Sequence, residues 1–173
     1  MKLNLIYSDS MDGIMGVNND LYCKINSDLR MFQKITSTKF NNRENVIIMG
    51  YNTWKSIGKP LKNRMNIVIS KNHQEEFKDI DSIFCFEGLE QCFQYIKGVK
   101  FGKIFVIGGA HLFSEIVKYY FDSIDIIYQT QIIDEVDRSL LSSFNITYNK
   151  IPLIQYEMDK KIKNIKFTNK KEK

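Results

Sequence analysis

The chain has 173 residues, of which 43% are hydrophobic and 13% aromatic. It is long enough and apolar enough for one domain with its own core, and too hydrophobic for a disordered chain. Its 25 Lys and Arg against 20 Asp and Glu give a net charge of +5, all carried between Asp159 and Lys173 by seven lysines and two acids. Such a tail can bind nucleic acid or an anionic surface but reads first as a solvated strand with a frayed end, and the balanced body can still focus phosphates into a cleft.

Leu3–Tyr7 is a short apolar run, predicted to be a buried strand, and Ser8–Ile25 reads as a long polar loop with Gly13 and Gly16. Ser27 is placed to cap a helix from Asp28 to about Thr36. Val46–Met49 is the next strand, Gly50 breaks it, and Thr53–Ile57 suits a short helix. Strands follow at Met65–Ser70, Ile83–Phe86, Ile104–Ile107 and Ile124–Ile132, with helices at Leu89–Ile96 and His111–Tyr120 between them. Tyr156–Thr168 is expected to add one or two strands, and residues 169–173 a frayed tail.

This order predicts an α/β fold in one domain over residues 1–173. A mostly parallel central sheet carries an antiparallel C-terminal edge and is flanked by about four helices. Ligands of such sheets sit at the carboxyl ends of the strands. Cys23, Cys85 and Cys92 form no CxxC pair and have no His at metal-ligand spacing, so no metal site is expected. The N-terminal apolar stretch is too short for a signal peptide and no run approaches a membrane span. The expectation is a soluble cytoplasmic monomer, with no membrane or nucleic-acid partner.

Three places carry candidate chemistry. Asp28 shares a helix face with Phe32 and Ile35, so a carboxylate points with an aromatic ring and an isoleucine. Buried there, it would need a two-donor partner such as a 2-aminopyrimidine; exposed, it would simply favour the helix dipole. IMGYNTWKSIGKPLKNR, residues 48–64, runs from a buried strand through Gly50 to Thr53, where backbone N–H groups and a hydroxyl suit a pyrophosphate, and ends on the planar fork of Arg64. It reads equally as an ordinary strand–turn–helix with a surface Arg. FVIGGAHLF, residues 105–113, opens a helix with Gly-Gly, which lets backbone approach a ligand but is no GxGxxG fingerprint.

Together these segments, with GIMGVNNDLYCKINSDLRMFQKIT before them, resemble dihydrofolate reductase from Leu3 to about Phe167. The resemblance implies reduction of 7,8-dihydrofolate to tetrahydrofolate by hydride from NADPH, with NADH as the alternative, and sensitivity to antifolates. It implies that Asp28 binds the pterin and supports protonation at N5, with Thr130 sharing its hydrogen bonds. Phe32, Leu29, Ile57 and Leu61 would pack on the substrate, Arg64 would hold the glutamate α-carboxylate, and Ile6 and Ile107 would offer backbone carbonyls. Tyr7 and Phe113 would border the pterin. Ser8, Met15, Gly16, Asn19 and Leu21 would face the cofactor, with Gly16 to Leu21 closing over the nicotinamide. Gly50, Tyr51, Asn52, Thr53, Ser56, Ser70 and Lys71 would hold its nucleotide end. Gly108 and Gly109, joined by a cis peptide, would lead into Ala110, His111, Leu112 and Phe113 at its phosphates. Any thymidylate synthase partner would be a separate chain.

Four departures from that pattern stand out. Cys23 replaces the family's usual Trp, Phe113 its usual Tyr, Tyr7 its usual Ala, and Tyr51-Asn52 the basic residues that usually grip a 2′-phosphate. They suggest slowed turnover and a looser cofactor preference. The competing readings are a catalytically weakened folate- or nucleotide-binding homologue and a pyrimidine reductase of riboflavin synthesis.

Overall fold

The computed structural model describes residues 1–10, 13–17, 20–21, 24–132 and 162–167. Seven strands form one sheet: β1 (Leu3–Ser10), β4 (Asn45–Gly50), β5 (Arg64–Ile69), β6 (Ile83–Phe86), β7 (Ile104–Gly108), β8 (Ile124–Ile132) and β9 (Ile162–Phe167). Their order is β6-β5-β4-β7-β1-β8-β9, and every adjacent pair is parallel. Between β1 and α1 (Asn26–Ser37), β2 (Gly16–Val17) and β3 (Asp20–Leu21) pair as a small hairpin. The other helices are α2 (Tyr51–Ile57), α3 (Leu89–Lys97) and α4 (Ala110–Tyr119).

A parallel sheet is buried on both faces, so its central strands carry continuous apolar runs. Val46, Ile47, Ile48 and Met49 of β4 have no solvent exposure. On one face α3 contributes Leu89, Cys92, Phe93 and Ile96, and α4 contributes Leu112, Phe113, Ile116 and Val117. That spacing is the apolar stripe of an amphipathic helix. The other face packs Ile47, Met49, Trp54 and Phe105 with Phe32 and Ile35 of α1. Only Thr36 of α1 is buried, so this helix covers the sheet loosely and leaves a cleft beneath it.

The structure differs from the sequence reading in three places. β1 runs on to Ser10, taking Ser8, Asp9 and Ser10 out of the expected loop, because they pair with Thr130, Gln131 and Ile132 of β8 and are buried there. Ser27 does not cap α1: the helix begins at Asn26, and its N-cap Ile25 makes no side-chain cap bond. The expected antiparallel C-terminal edge is not seen among the described residues. β9 lies parallel to β8, with Ile127 opposite Ile162 and Ile132 opposite Phe167. Residues 133–161 separate them, well above the dozen or so residues that a parallel crossover needs. The rest of the expected Tyr156–Thr168 strand region lies outside the described residues.

Candidate active site

In this strand order the chain leaves β1, runs outward through β4, β5 and β6, then returns with β7 between β4 and β1. The reversal opens a crevice at the carboxyl ends of β1, β7 and β4. A cleft of about 1100 Å³ occupies that place. Its floor is Ile6, Tyr7 and Ser8 of β1, Ile107 and Gly108 of β7, and Thr130 of β8. Asp28, Leu29 and Phe32 of α1 form one wall, and Ser56, Ile57, Leu61 and Arg64 form the wall opposite.

Asp28 sits on the first turn of α1, facing β8. The Thr130 hydroxyl donates to Asp28 Oδ1 at 2.6 Å. Burial pushes the Asp28 carboxyl up from the ordinary carboxylate range, and the Thr130 hydrogen bond partly offsets this. Among the described residues no Lys, Arg or His pairs with it. A half-buried carboxylate without a cation in an apolar cleft has acceptor capacity left for a ligand bearing paired N–H groups.

Arg64 lies at the other end of the same arm. It is buried, and its Nη1 donates to Thr36 Oγ1 at 2.7 Å while Nε donates to the Lys62 carbonyl at 2.9 Å. Thr36 in turn donates to the Phe32 carbonyl, so α1 and the start of β5 fix the guanidinium between them. Burial lowers its proton affinity, yet no carboxylate among the described residues pairs with it. A buried guanidinium lacking an anion is suited to a carboxylate brought by the ligand.

The second arm runs the other way from Gly108. The Gly108–Gly109 peptide is cis, as the sequence resemblance implied. Gly108 has φ +124°, a conformation side chains rarely adopt, and an ideal Cβ on either glycine would lie 3.5 Å from Thr53 Oγ1. Gly109 caps α4 without a side-chain hydrogen bond, leaving first-turn N–H groups for an anion. Met15, Gly16 and Leu21 of the hairpin, Gly50, Tyr51, Asn52, Thr53, Ser70 and Lys71, and Ala110, His111 and Leu112 line this arm. The hairpin meets α2 across the cleft: Ser56 Oγ donates to Asp20 Oδ1 at 3.2 Å, and Lys24 pairs with Asp20.

Phe113 does not line the cleft. It is fully buried in the core, its ring 5.4 Å from that of Tyr7, because the fourth residue of α4 faces the sheet. Asn19 and Cys23 lie outside the described residues. Sequence reasoning also passed over Asn72, His73, Tyr128, Asp20, Lys24 and Glu115, which line the cleft. Asn72 and His73 directly follow Lys71, so the strand-end rule that selected Ser70 and Lys71 reaches them. Tyr128 precedes Thr130 by two positions, the strand period that puts both on one face. No cluster of three or more metal-ligating side chains occurs among the described residues, and no helix there is long and apolar enough to cross a membrane.

A family model for dihydrofolate reductase matches residues 2–171. The dihydrofolate reductase of Bacillus subtilis is 33% identical over 135 residues, which is 78% of this chain and 71% of that protein. The dihydrofolate reductase of Haemophilus influenzae is 31% identical over 137 residues, 79% of this chain and 76% of that protein. A Mycoplasmoides gallisepticum protein named segregation and condensation protein A is 32% identical over 117 residues, 68% of this chain but 18% of that protein's length. With the cleft, the paired Asp28 and Thr130 and the Gly-Gly junction in place, the chain belongs to the dihydrofolate reductase family, oxidoreductases that reduce dihydrofolate to tetrahydrofolate with a nicotinamide cofactor.

Proposed function

We propose that the chain works as one cytoplasmic domain spanning residues 1–173, as a monomer, and takes its hydride from NADPH. In this reading the pterin lies between Phe32 and Ile57 with its 2-amino group and N3 on Asp28. Thr130 holds the carboxylate in place, Ile6 and Ile107 present backbone carbonyls, Leu29 and Leu61 flank the substrate, and Arg64 takes the glutamate α-carboxylate. The observation that carries this reading is the Thr130–Asp28 hydrogen bond at the apolar end of the cleft, with Arg64, which has no carboxylate partner among the described residues, at the other.

The nicotinamide, when bound, supplies hydride to the pterin ring. The chain's own residues do the remainder. Asp28 stabilises positive charge on the pterin as N5 gains a proton, an effect that is larger in a water-poor cleft than in solvent. Ser8 and the hairpin bearing Met15, Gly16 and Leu21 cover the reacting face and exclude water. The uncapped start of α4 at Ala110, His111 and Leu112, with Gly109 and Thr53, takes the phosphates. Ser56, Gly50, Tyr51, Asn52, Ser70 and Lys71 line the nucleotide end. Cys23, standing where the family's usual Trp does, offers no indole N–H donor, so turnover is slow for the family. Antifolates with a 2,4-diaminopyrimidine occupy the Asp28 end.

Asp28, Phe32 and Arg64 together fit a folate with a glutamate tail, so the reading as a pyrimidine reductase of riboflavin synthesis is set aside. Titration with a diaminopyrimidine antifolate tests the substrate arm. Binding to the wild type that is weakened about 100-fold by Asp28→Asn supports the reading. Equal binding to both proteins refutes it.

A further inference from the structure

The nucleotide arm carries a charged aromatic cluster that the reaction does not use. The strand order β1-β7-β4-β5 fixes where a dinucleotide must lie. With its reactive ring over β1 and β7 and its phosphates at Gly109 and Thr53, its far ribose reaches the end of β5. That is three strand spacings away, roughly 14 Å. Four groups wait there: Tyr51, Lys71, His73 and, just behind them, Glu76. Phe77 is buried and packs edge-on against both Tyr51 and Trp54, which anchors the 3-10 turn Gln74–Phe77 to α2. That anchor places Glu76 beside Tyr51, whose hydroxyl donates to Glu76 at 2.8 Å to Oε1, with Oε2 at 2.9 Å. The Tyr51 ring stacks flat on His73, centroids 3.6 Å apart, and His73 Nδ1 lies 3.0 Å from Ser70 Oγ. The exposed Glu76 carboxylate is thus tied to the Tyr51 hydroxyl at the edge of this arm.

In nicotinamide enzymes an acidic group at the end of a strand favours the free ribose 2′-hydroxyl, and a basic group favours the 2′-phosphate. Here Lys71 supplies one preference and Glu76 the other. Resting on the cofactor reading above, we infer that Glu76, fixed by Tyr51, determines cofactor specificity: it repels the 2′-phosphate and brings NADH close to NADPH as a hydride source. The opposing Lys71 keeps NADPH usable. The pair makes this a dual-cofactor site with a shallow preference for NADPH.

The test compares kcat/KM for NADPH and NADH, with dihydrofolate saturating, in the wild type, Glu76→Gln and Tyr51→Phe, alongside fluorescence titrations with NADP⁺ and NAD⁺. The wild-type ratio is expected to stay below about tenfold, and Glu76→Gln to raise it by roughly three- to tenfold through NADPH alone, the scale of one partly screened charge. Tyr51→Phe releases Glu76 without changing charge and is expected to move the ratio the same way by less. A wild-type preference for NADPH above about 100-fold, or equal changes for both cofactors in Glu76→Gln, would overturn the assignment. Failure of both dinucleotides to bind would overturn the cofactor reading beneath it, and the assignment with it.

Discussion

Thr130 on β8 and Asp28 on α1 meet across the cleft at 2.6 Å, the hydroxyl donating to the carboxylate. This bond favours the ionised carboxyl, against the burial that raises its proton affinity. Removing it in Thr130→Val therefore raises the Asp28 pKa further. Ligand binding that needs the carboxylate should weaken as pH falls, with its midpoint at higher pH than in the wild type. Antifolate affinity near neutral pH should fall about tenfold, the worth of one charge-assisted hydrogen bond. Titration calorimetry across pH reads both effects.

Arg64 is held by Thr36 and the Lys62 carbonyl before any ligand arrives. If it binds only the substrate's tail, it binds ground state and transition state alike. Arg64→Lys should then raise KM for dihydrofolate by about 10–100-fold with kcat changed far less. A pterin lacking the glutamate tail should not feel the substitution. Steady-state kinetics with both substrates decides it.

Gly16 is constrained by close approach. A Cβ there would lie 2.6 Å from the Asp20 backbone carbonyl, inside any real contact. Gly16→Ala must spread the β2–β3 hairpin and pull Asp20 away from Ser56. Since the hairpin covers the cleft and not the core, Tm should move by under about 2 °C while kcat/KM falls roughly tenfold or more.

Asp9 has a separate signature. Gln129 Nε2 donates to both of its oxygens at 3.0 Å, yet burial pushes its pKa up to about 6. The fold thus holds this proton more tightly than the unfolded chain, so Asp9's contribution falls as pH rises from the ordinary carboxylate range through about 6. Asp9→Asn should raise stability at neutral pH by on the order of 1 kcal/mol, allowing for partial screening, with the difference gone below about pH 4. Thermal unfolding of the two proteins at both pH values measures it.

Much of this could be read from the chain because a parallel sheet writes itself as continuous apolar runs. Val46–Met49 and Ile83–Phe86 were visible for that reason; Ile124–Ile132, interrupted by Asp125, Gln129, Thr130 and Gln131, was also read as a strand, and the last two matched residue for residue. The end of β1 was not visible: Ser8, Asp9 and Ser10 look like loop residues until β8 supplies their pairing and Gln129. The start of α1 was misplaced because Ser27 resembles a cap, but the chain turns two residues earlier at Ile25. Motif order brought Asp28, Thr53 and Gly108 to notice, and the cleft gathers them. Helix phase puts Phe113, the fourth residue of α4, in the core and not along the cleft lining, which its motif alone did not show. The Tyr51–His73–Glu76 cluster left no trace in local sequence, because only the packing of Phe77 against α2 brings Glu76 to Tyr51.

The most direct test of the account is the initial rate of reduced-nicotinamide consumption by the purified protein with dihydrofolate, followed by absorbance, for the wild type and Asp28→Asn. The account predicts consumption that requires dihydrofolate, is stopped by a diaminopyrimidine antifolate, and falls about 100-fold or more in Asp28→Asn at unchanged thermal stability. Dihydrofolate-dependent consumption of equal rate in both proteins, or none above the enzyme-free rate in a folded wild type, would contradict it.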